Sequence, residues 1–196
     1  MPDAAGDDKV LTIPNVISIV RLLCIPLFVW LLFARDDRAS AAWLLAALGA
    51  TDWVDGYIAR HFNQISTLGK VLDPTADRVL LLTAALSLII DHDVPVWLAV
   101  AVLVREALVS IAVLALAAAG ARRIDVQWAG KAGTLALMIA LPLFLASHST
   151  LGWHRGAGIT AWLFALPGLV LGWYAAVTYV PLARRALREG RVGSAT

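Results

Sequence analysis

Residues 41–90 read AAWLLAALGATDWVDGYIARHFNQISTLGKVLDPTADRVLLLTAALSLII. Two apolar stretches flank a short polar turn, and Asp52, Asp55, Asp73 and Asp77 sit where the stretches meet that turn. At about 100° per residue, Asp52, Asp55, Gly56, Ala59 and Arg60 share an arc of roughly 140° on one helix. Small Gly56 and Ala59 leave room beside the acids. Gly69, Asp73 and Asp77, spaced by four, advance only about 40° a step and form a second stripe. The turn from His61 to Leu68 is short enough to make the two helices antiparallel neighbours, so four carboxylates can share one pocket. Pro74 biases Asp73 away from helical geometry, so the second of these helices is expected to begin close to Asp73.

The rest of the chain has the same apolar character. Of 196 residues, 60% are hydrophobic and 15% charged, against about 45–50% and about 25% for a soluble domain. Crossing about 30 Å of hydrocarbon takes roughly 20 helical residues. Apolar segments at about 14–34, 40–60, 72–90, 94–119, 132–148 and 159–183 therefore predict an all-α integral membrane protein with six transmembrane helices. The expected organisation is a polar cytoplasmic tail (1–10), a six-helix membrane domain (11–183) and a basic cytoplasmic tail (184–196).

Loop cations orient the chain. Lys9, Arg60, Lys70, Arg122, Arg123, Lys131, Arg184, Arg185, Arg188 and Arg191 fall on one side, and only Arg35, Arg38 and Arg155 on the other. This places both termini in the cytoplasm of a multi-pass cell-membrane protein. Trp30, Trp43, Trp97 and Trp153 fall near the outer ends of segments and Trp128 near the inner face, as interfacial indoles do. Met1 to Lys9 lacks the basic start and cleavage site of a secretory signal. A net charge of +2 gives no argument for nucleic acid. The single cysteine, Cys24, excludes an intrachain disulfide and reads as a small buried hydrophobe. His61, His92, His148 and His154 lie at segment ends with no spacing that makes a zinc centre, and read as interfacial residues. No internal repeat supports a transporter built from inverted halves.

An intramembrane carboxylate costs about 2.5–3.5 kcal/mol on insertion scales and is a functional candidate by default. Four together would raise one another's pKa unless hard cations supply positive charge, and oxygen-only ligation suits Mg²⁺ or Mn²⁺. The site then lies at the cytoplasmic ends of helices two and three. Buried pairing of the acids with Arg60, Arg78 and Arg105, without chemistry, is the structural alternative.

Taken together, Asp52-Trp-Val-Asp55-Gly56-Tyr-Ile-Ala59-Arg60, eight residues, then Gly69-Lys-Val-Leu-Asp73-Pro-Thr-Ala-Asp77 resembles the signature of the CDP-alcohol phosphotransferase family. The resemblance, carried over residues 10–183, implies a six-helix membrane enzyme, usually a homodimer, that transfers a phosphatidyl or similar group from a CDP-linked donor to an alcohol. It implies that Asp52, Asp55, Asp73 and Asp77 hold a two-metal centre and that Asp77 is also the general base. Gly56, Arg60 and Ser66 are implied as contacts of the cytidine nucleotide, and Ala59 and Gly69 as structural members of the motif. Asn15-Val-Ile-Ser18-Ile-Val-Arg21 resembles the family's Asn, Thr, Arg pattern on the first helix, with serine for the usual threonine, and implies donor binding.

The chain start and motif resemble bacterial members that use CDP-diacylglycerol as donor. Val104-Arg105-Glu106 resembles the step of members whose acceptor is glycerol-3-phosphate, the acceptor placed first by these residues. Gly130-Lys131-Ala-Gly-Thr134, followed by Leu137-Met138 and Leu141-Pro142-Leu143, is similar to actinobacterial members whose acceptor is phosphatidylglycerol, the alternative. Arg105 and Lys131 are candidates for the acceptor's phosphate; pairing of Arg105 with Glu106 and snorkelling of Lys131 are the bland readings. Arg122 and Arg123 read as headgroup contacts. From a different class, a divalent-cation carrier could use the same aspartates in transit, but carrier sites sit near the midplane, not at helix ends.

Overall fold

The computed structural model describes residues 12–61, 69–118 and 128–193, with side chains for 12, 15–51, 72, 75–112 and 128–178. The described residues form six helices and no strand: α1 (Ile13–Phe33), α2 (Arg38–His61), α3 (Gly69–Ile90), α4 (Val96–Ala118), α5 (Trp128–Ser147) and α6 (His154–Gly193). Within them, Asn15–Phe33, Trp128–Ser147 and His154–Thr178 are long and apolar enough to cross a membrane.

Local chemistry explains several boundaries. Thr12 caps α1, its hydroxyl oxygen accepting from the Asn15 N–H at 3.4 Å, with a proline in the first turn. Asp37 precedes α2 and accepts from the Ser40 N–H at 3.0 Å, as an N-cap carboxylate does. At the far end of α3, the Asp93 N–H donates to the Leu88 carbonyl at 3.0 Å and the His92 N–H to the Ile89 carbonyl at 3.2 Å. This pattern requires a left-handed residue, and His92, at φ 61°, takes the place glycine usually fills.

Three sequence boundaries are corrected. Helix α3 begins at Gly69, four residues before Asp73, and runs through Pro74. Proline's fixed φ is itself helical, so one missing N–H does not end the helix. Helix α5 begins at Trp128, four residues ahead of the apolar segment, so Gly130 and Lys131 lie in its first turn. Helix α6 continues to Gly193, through ten residues expected to form a tail; four of them are Arg, and Ala186, Leu187 and Glu189 are likewise good helix formers, which outweighs Gly190.

Helix α1 packs against α2 and α3, α2 also meets α5, and α5 lies along α6. The shared core holds Phe28, Leu32, Leu45, Leu88, Leu98, Phe144 and Leu145 among others. Outside it, Leu23, Ile90, Ile159, Leu163 and Val170 are each at least 65% exposed. A belt of large aliphatic side chains facing outward suits contact with lipid and not with water. Cys24 packs against the core but is half-buried, less enclosed than its apolar setting predicts.

Candidate active site

Helix α1 turns a polar face inward. Asn15, Ser18 and Arg21 recur at three-residue spacing on one side and are 1%, 0% and 0% exposed. The other side presents Val16, Ile19, Val20 and Leu23 outward. A soluble amphipathic helix would be turned the other way round. The three residues implied as donor contacts are thus brought onto one buried stripe.

That stripe reaches the acidic motif. Arg21 forms an ion pair with Asp77 of α3, through its Nη1 and Oδ1. Arg21 and Asp77 each lie eight residues into their helices, about 12 Å along the axis. This matched depth lets the charges meet. The Arg21 side chain is fully buried and that of Asp77 is 26% exposed, so the carboxylate keeps an open side.

The remaining motif residues have defined helix positions only. Asp52, Asp55, Gly56, Ala59 and Arg60 occupy the last ten residues of α2, and Gly69 and Asp73 the first five of α3. Their side chains, and Ser66 altogether, lie outside the described residues. Along the axes, Asp52 and Asp55 stand about 14 and 9 Å from the end of α2 and Asp73 about 6 Å from the start of α3. Among the described residues no three His, Cys, Asp or Glu side chains group to hold a metal ion. Of the four aspartates, only Asp77 has a described side chain.

A second polar cluster joins α4, α5 and α6. Arg105, 5% exposed, pairs with Glu106 and donates from Nε to the Gly172 carbonyl and from Nη1 to the Thr134 hydroxyl, both at 3.4 Å. Thr134 in turn donates to the Gly130 carbonyl at 3.1 Å. Close helix approach makes room for this network. A Cβ on Gly133 would lie 2.8 Å from the Gly172 nitrogen and 2.9 Å from the Gly168 carbonyl oxygen, so the α5–α6 crossing needs glycine there. A Cβ on Gly172 would come within 3.1 Å of the Arg105 Nε. The pairing of Arg105 with Glu106 is the bland alternative of the sequence reading, and it is the one present. Lys131 is exposed in the first turn of α5.

An apolar groove of about 500 Å³ runs between α2 and α5. At one end stand Trp43 and Trp153, in a T-shaped pair with ring centroids 6.2 Å apart. At the other are Gly49, Ala50 and Leu135. On α2, Ala50 is followed within two residues by Asp52. The groove therefore leads towards the motif along a wall built for hydrocarbon.

Sequence reasoning missed a charged cluster at the opposite end of the helices. Arg38, at the start of α2, lies 2.8 Å from the Asp91 carboxylate and 3.4 Å from that of Asp93. His148, at the end of α5, lies 3.5 Å from Asp93. Burial, reinforced by the neighbouring Asp91 carboxylate, pushes the Asp93 carboxyl up to about 6, against the opposing pull of His148 and Arg38. A signal was present: Arg38, Asp91, Asp93 and His148 all fall at segment ends on the same side of the predicted membrane. Reading each histidine singly, as interfacial, concealed it.

Comparison with known proteins bears on the same residues. The family model described as CDP-alcohol phosphatidyltransferase matches residues 11–180. The chain is 41% identical, over 92% of its length and 86% of the relative's, to a cardiolipin synthase (CMP-forming) of Streptomyces coelicolor. It is 32% identical, over 90% of its length and 97% of the relative's, to a CDP-diacylglycerol–glycerol-3-phosphate 3-phosphatidyltransferase of Escherichia coli.

Proposed function

The chain belongs to the CDP-alcohol phosphatidyltransferase family, and we propose that it transfers a phosphatidyl group from CDP-diacylglycerol to phosphatidylglycerol, forming cardiolipin and releasing CMP. The observation that carries this acceptor is the 41% identity, over nearly the whole chain, to a protein named for that reaction. The fifth-helix pattern of Gly130, Lys131 and Thr134 supports it. Glycerol-3-phosphate is the second reading, favoured by the Val104-Arg105-Glu106 step and by the Escherichia coli relative.

In this reading six helices cross the cell membrane, with both termini and the motif on the cytoplasmic side. Carboxylate oxygens from two helices fit hard divalent cations, and Asp52, Asp55, Asp73 and Asp77 would hold two of them, Mg²⁺ or Mn²⁺. Bound there, the cations would neutralise the donor's diphosphate and the charge that develops on it. Asn15, Ser18 and Arg21 would bind the donor from α1, with Gly56, Arg60 and Ser66 at the nucleotide. The α2–α5 groove would take an acyl chain. Asp77, through its open side, would accept the proton of the acceptor hydroxyl as that oxygen attacks the lipid-bearing phosphorus. The bond from this phosphorus to the bridging oxygen breaks, and CMP leaves. The family resemblance further proposes a homodimer, which crosslinking in membranes tests; a monomer alone would remove that part.

The acceptor is tested by giving purified protein CDP-diacylglycerol with each candidate separately and identifying the lipid product by mass spectrometry. Cardiolipin formed only with phosphatidylglycerol is expected. Phosphatidylglycerophosphate formed only with glycerol-3-phosphate would replace this reading with the second.

A further inference from the structure

At the end of the bundle away from the aspartate motif, a cavity of about 690 Å³ opens between the α3–α4 turn, the end of α5 and the start of α6. One wall is polar, with His92, Asp93, His148 and Arg155. The other is apolar and includes Phe144 and Trp162, whose rings meet edge to face at 5.3 Å. Trp162 lies eight residues into α6, so the cavity runs from the helix ends to about 12 Å along that helix. A polar mouth continuous with an apolar floor has the profile of an amphiphile at a membrane surface.

The polar groups are specific in kind. Asp93 has a side chain 3% exposed and sits against the Asp91 carboxylate; its Oδ1 faces Arg38 and His148, and its Oδ2 is buried with no donor in place. A buried acceptor left unsatisfied is costly, and a donor entering the cavity would relieve that cost. Arg155 is exposed at the rim and takes part in none of the ion pairs among the described residues. His92 on the same rim keeps a left-handed backbone that a non-glycine residue holds at a cost. A cation at the mouth and a buried carboxylate oxygen behind it fit a phosphodiester whose head bears a hydrogen-bond donor.

We propose that this cavity seats a phospholipid headgroup from the leaflet opposite the aspartate motif, the phosphodiester against Arg155 and a hydroxyl or ammonium of the head against Asp93. The position of the cavity at a membrane face rests on the six-crossing reading, but the recognition chemistry does not depend on the transfer reaction. Phosphatidylglycerol and phosphatidylethanolamine both carry such donors, whereas the quaternary ammonium of phosphatidylcholine carries none. The occupant is therefore a donor-bearing lipid, separate from any lipid consumed at the aspartate site.

The test is native mass spectrometry of the full-length protein, scoring lipid retained from equal mixtures of phosphatidylethanolamine and phosphatidylcholine, with phosphatidylglycerol against phosphatidylcholine as a second arm. The unmodified protein is expected to prefer phosphatidylethanolamine about tenfold, the order expected for a hydrogen bond to a charged group. Arg155→Gln, at an exposed position, should lose retention of both lipids. Asp93→Asn should keep phospholipid but lose the preference. CMP release measured on the same samples keeps the two readings apart, since Arg155→Gln should release CMP at the unmodified rate. Equal retention of the two lipids by the unmodified protein, unchanged retention in Arg155→Gln, or an unchanged preference in Asp93→Asn would overturn the proposal, whatever the transfer activity.

Discussion

Asp77 carries two demands, an ion pair with Arg21 and, in the proposed reaction, receipt of a proton. Asp77→Asn removes the base but retains an oxygen ligand, so CMP release should fall by about 10²- to 10⁴-fold. CDP binding measured by calorimetry should be little changed. Full activity in that variant would remove the assigned role. The pair itself makes a stability prediction. Arg21→Met removes the fully buried cation of this pair and should lower the melting temperature. Adding Asp77→Asn should recover much of that loss, and no recovery in thermal melts would mean that Arg21 acts chiefly through other partners. At the opposite end, the Asp93 carboxyl is raised to about 6 by burial and by Asp91, with Arg38 and His148 pulling it down and His92 and Arg155 on the same cavity wall. Its folded form therefore holds a proton more tightly than its unfolded form. The resulting stabilisation is present under acid conditions and lost as pH rises through about 6. Melting temperature should change less between pH 5 and pH 7 in Asp93→Asn than in the unmodified protein; an identical change in both would contradict this.

At the scale of helices, the α5–α6 crossing depends on Gly133, where an added Cβ would strike the backbone of α6. Gly133→Ala should lower the melting temperature markedly and disturb the Arg105 network. Gly49→Ala, whose Cβ would make only an ordinary contact at 3.9 Å from the Met138 carbonyl, serves as control. Equal melts for the two would show that α6 yields to the methyl group. The sequence made this layer legible unevenly. The six apolar segments located six helices because hydrophobic length is the strongest signal a membrane sequence carries. Boundaries went astray where polar chemistry does not end a helix: at Gly69, ahead of Pro74; at Trp128, ahead of the charged Lys131; and beyond Arg184, where good helix formers continue. The Arg105 cluster was only half visible. Glu106 is its neighbour in sequence, but Thr134 and Gly172 join it through a crossing that no local pattern announces.

Across the whole molecule, the bundle has a polar stripe and four aspartates towards one end, a charged cluster and a cavity of about 690 Å³ at the other, and an apolar groove leading towards the first. The motif was legible in the sequence because its spacing predicts carboxylates, glycines and an arginine on two short stripes; of its aspartate side chains the structure describes Asp77, paired with Arg21. The far cluster was not legible, because its members are separated by up to 110 residues and each alone is an unremarked segment end. The reaction class is tested most directly by CMP release from CDP-diacylglycerol by the detergent-purified protein, with Mg²⁺ or Mn²⁺ and then with chelator, across a panel of acceptors. We predict release that needs both a divalent cation and phosphatidylglycerol and that stops on chelation. Folded protein that releases no CMP with any acceptor, yet carries divalent cations into proteoliposomes, would contradict the account and make the aspartates a transit site.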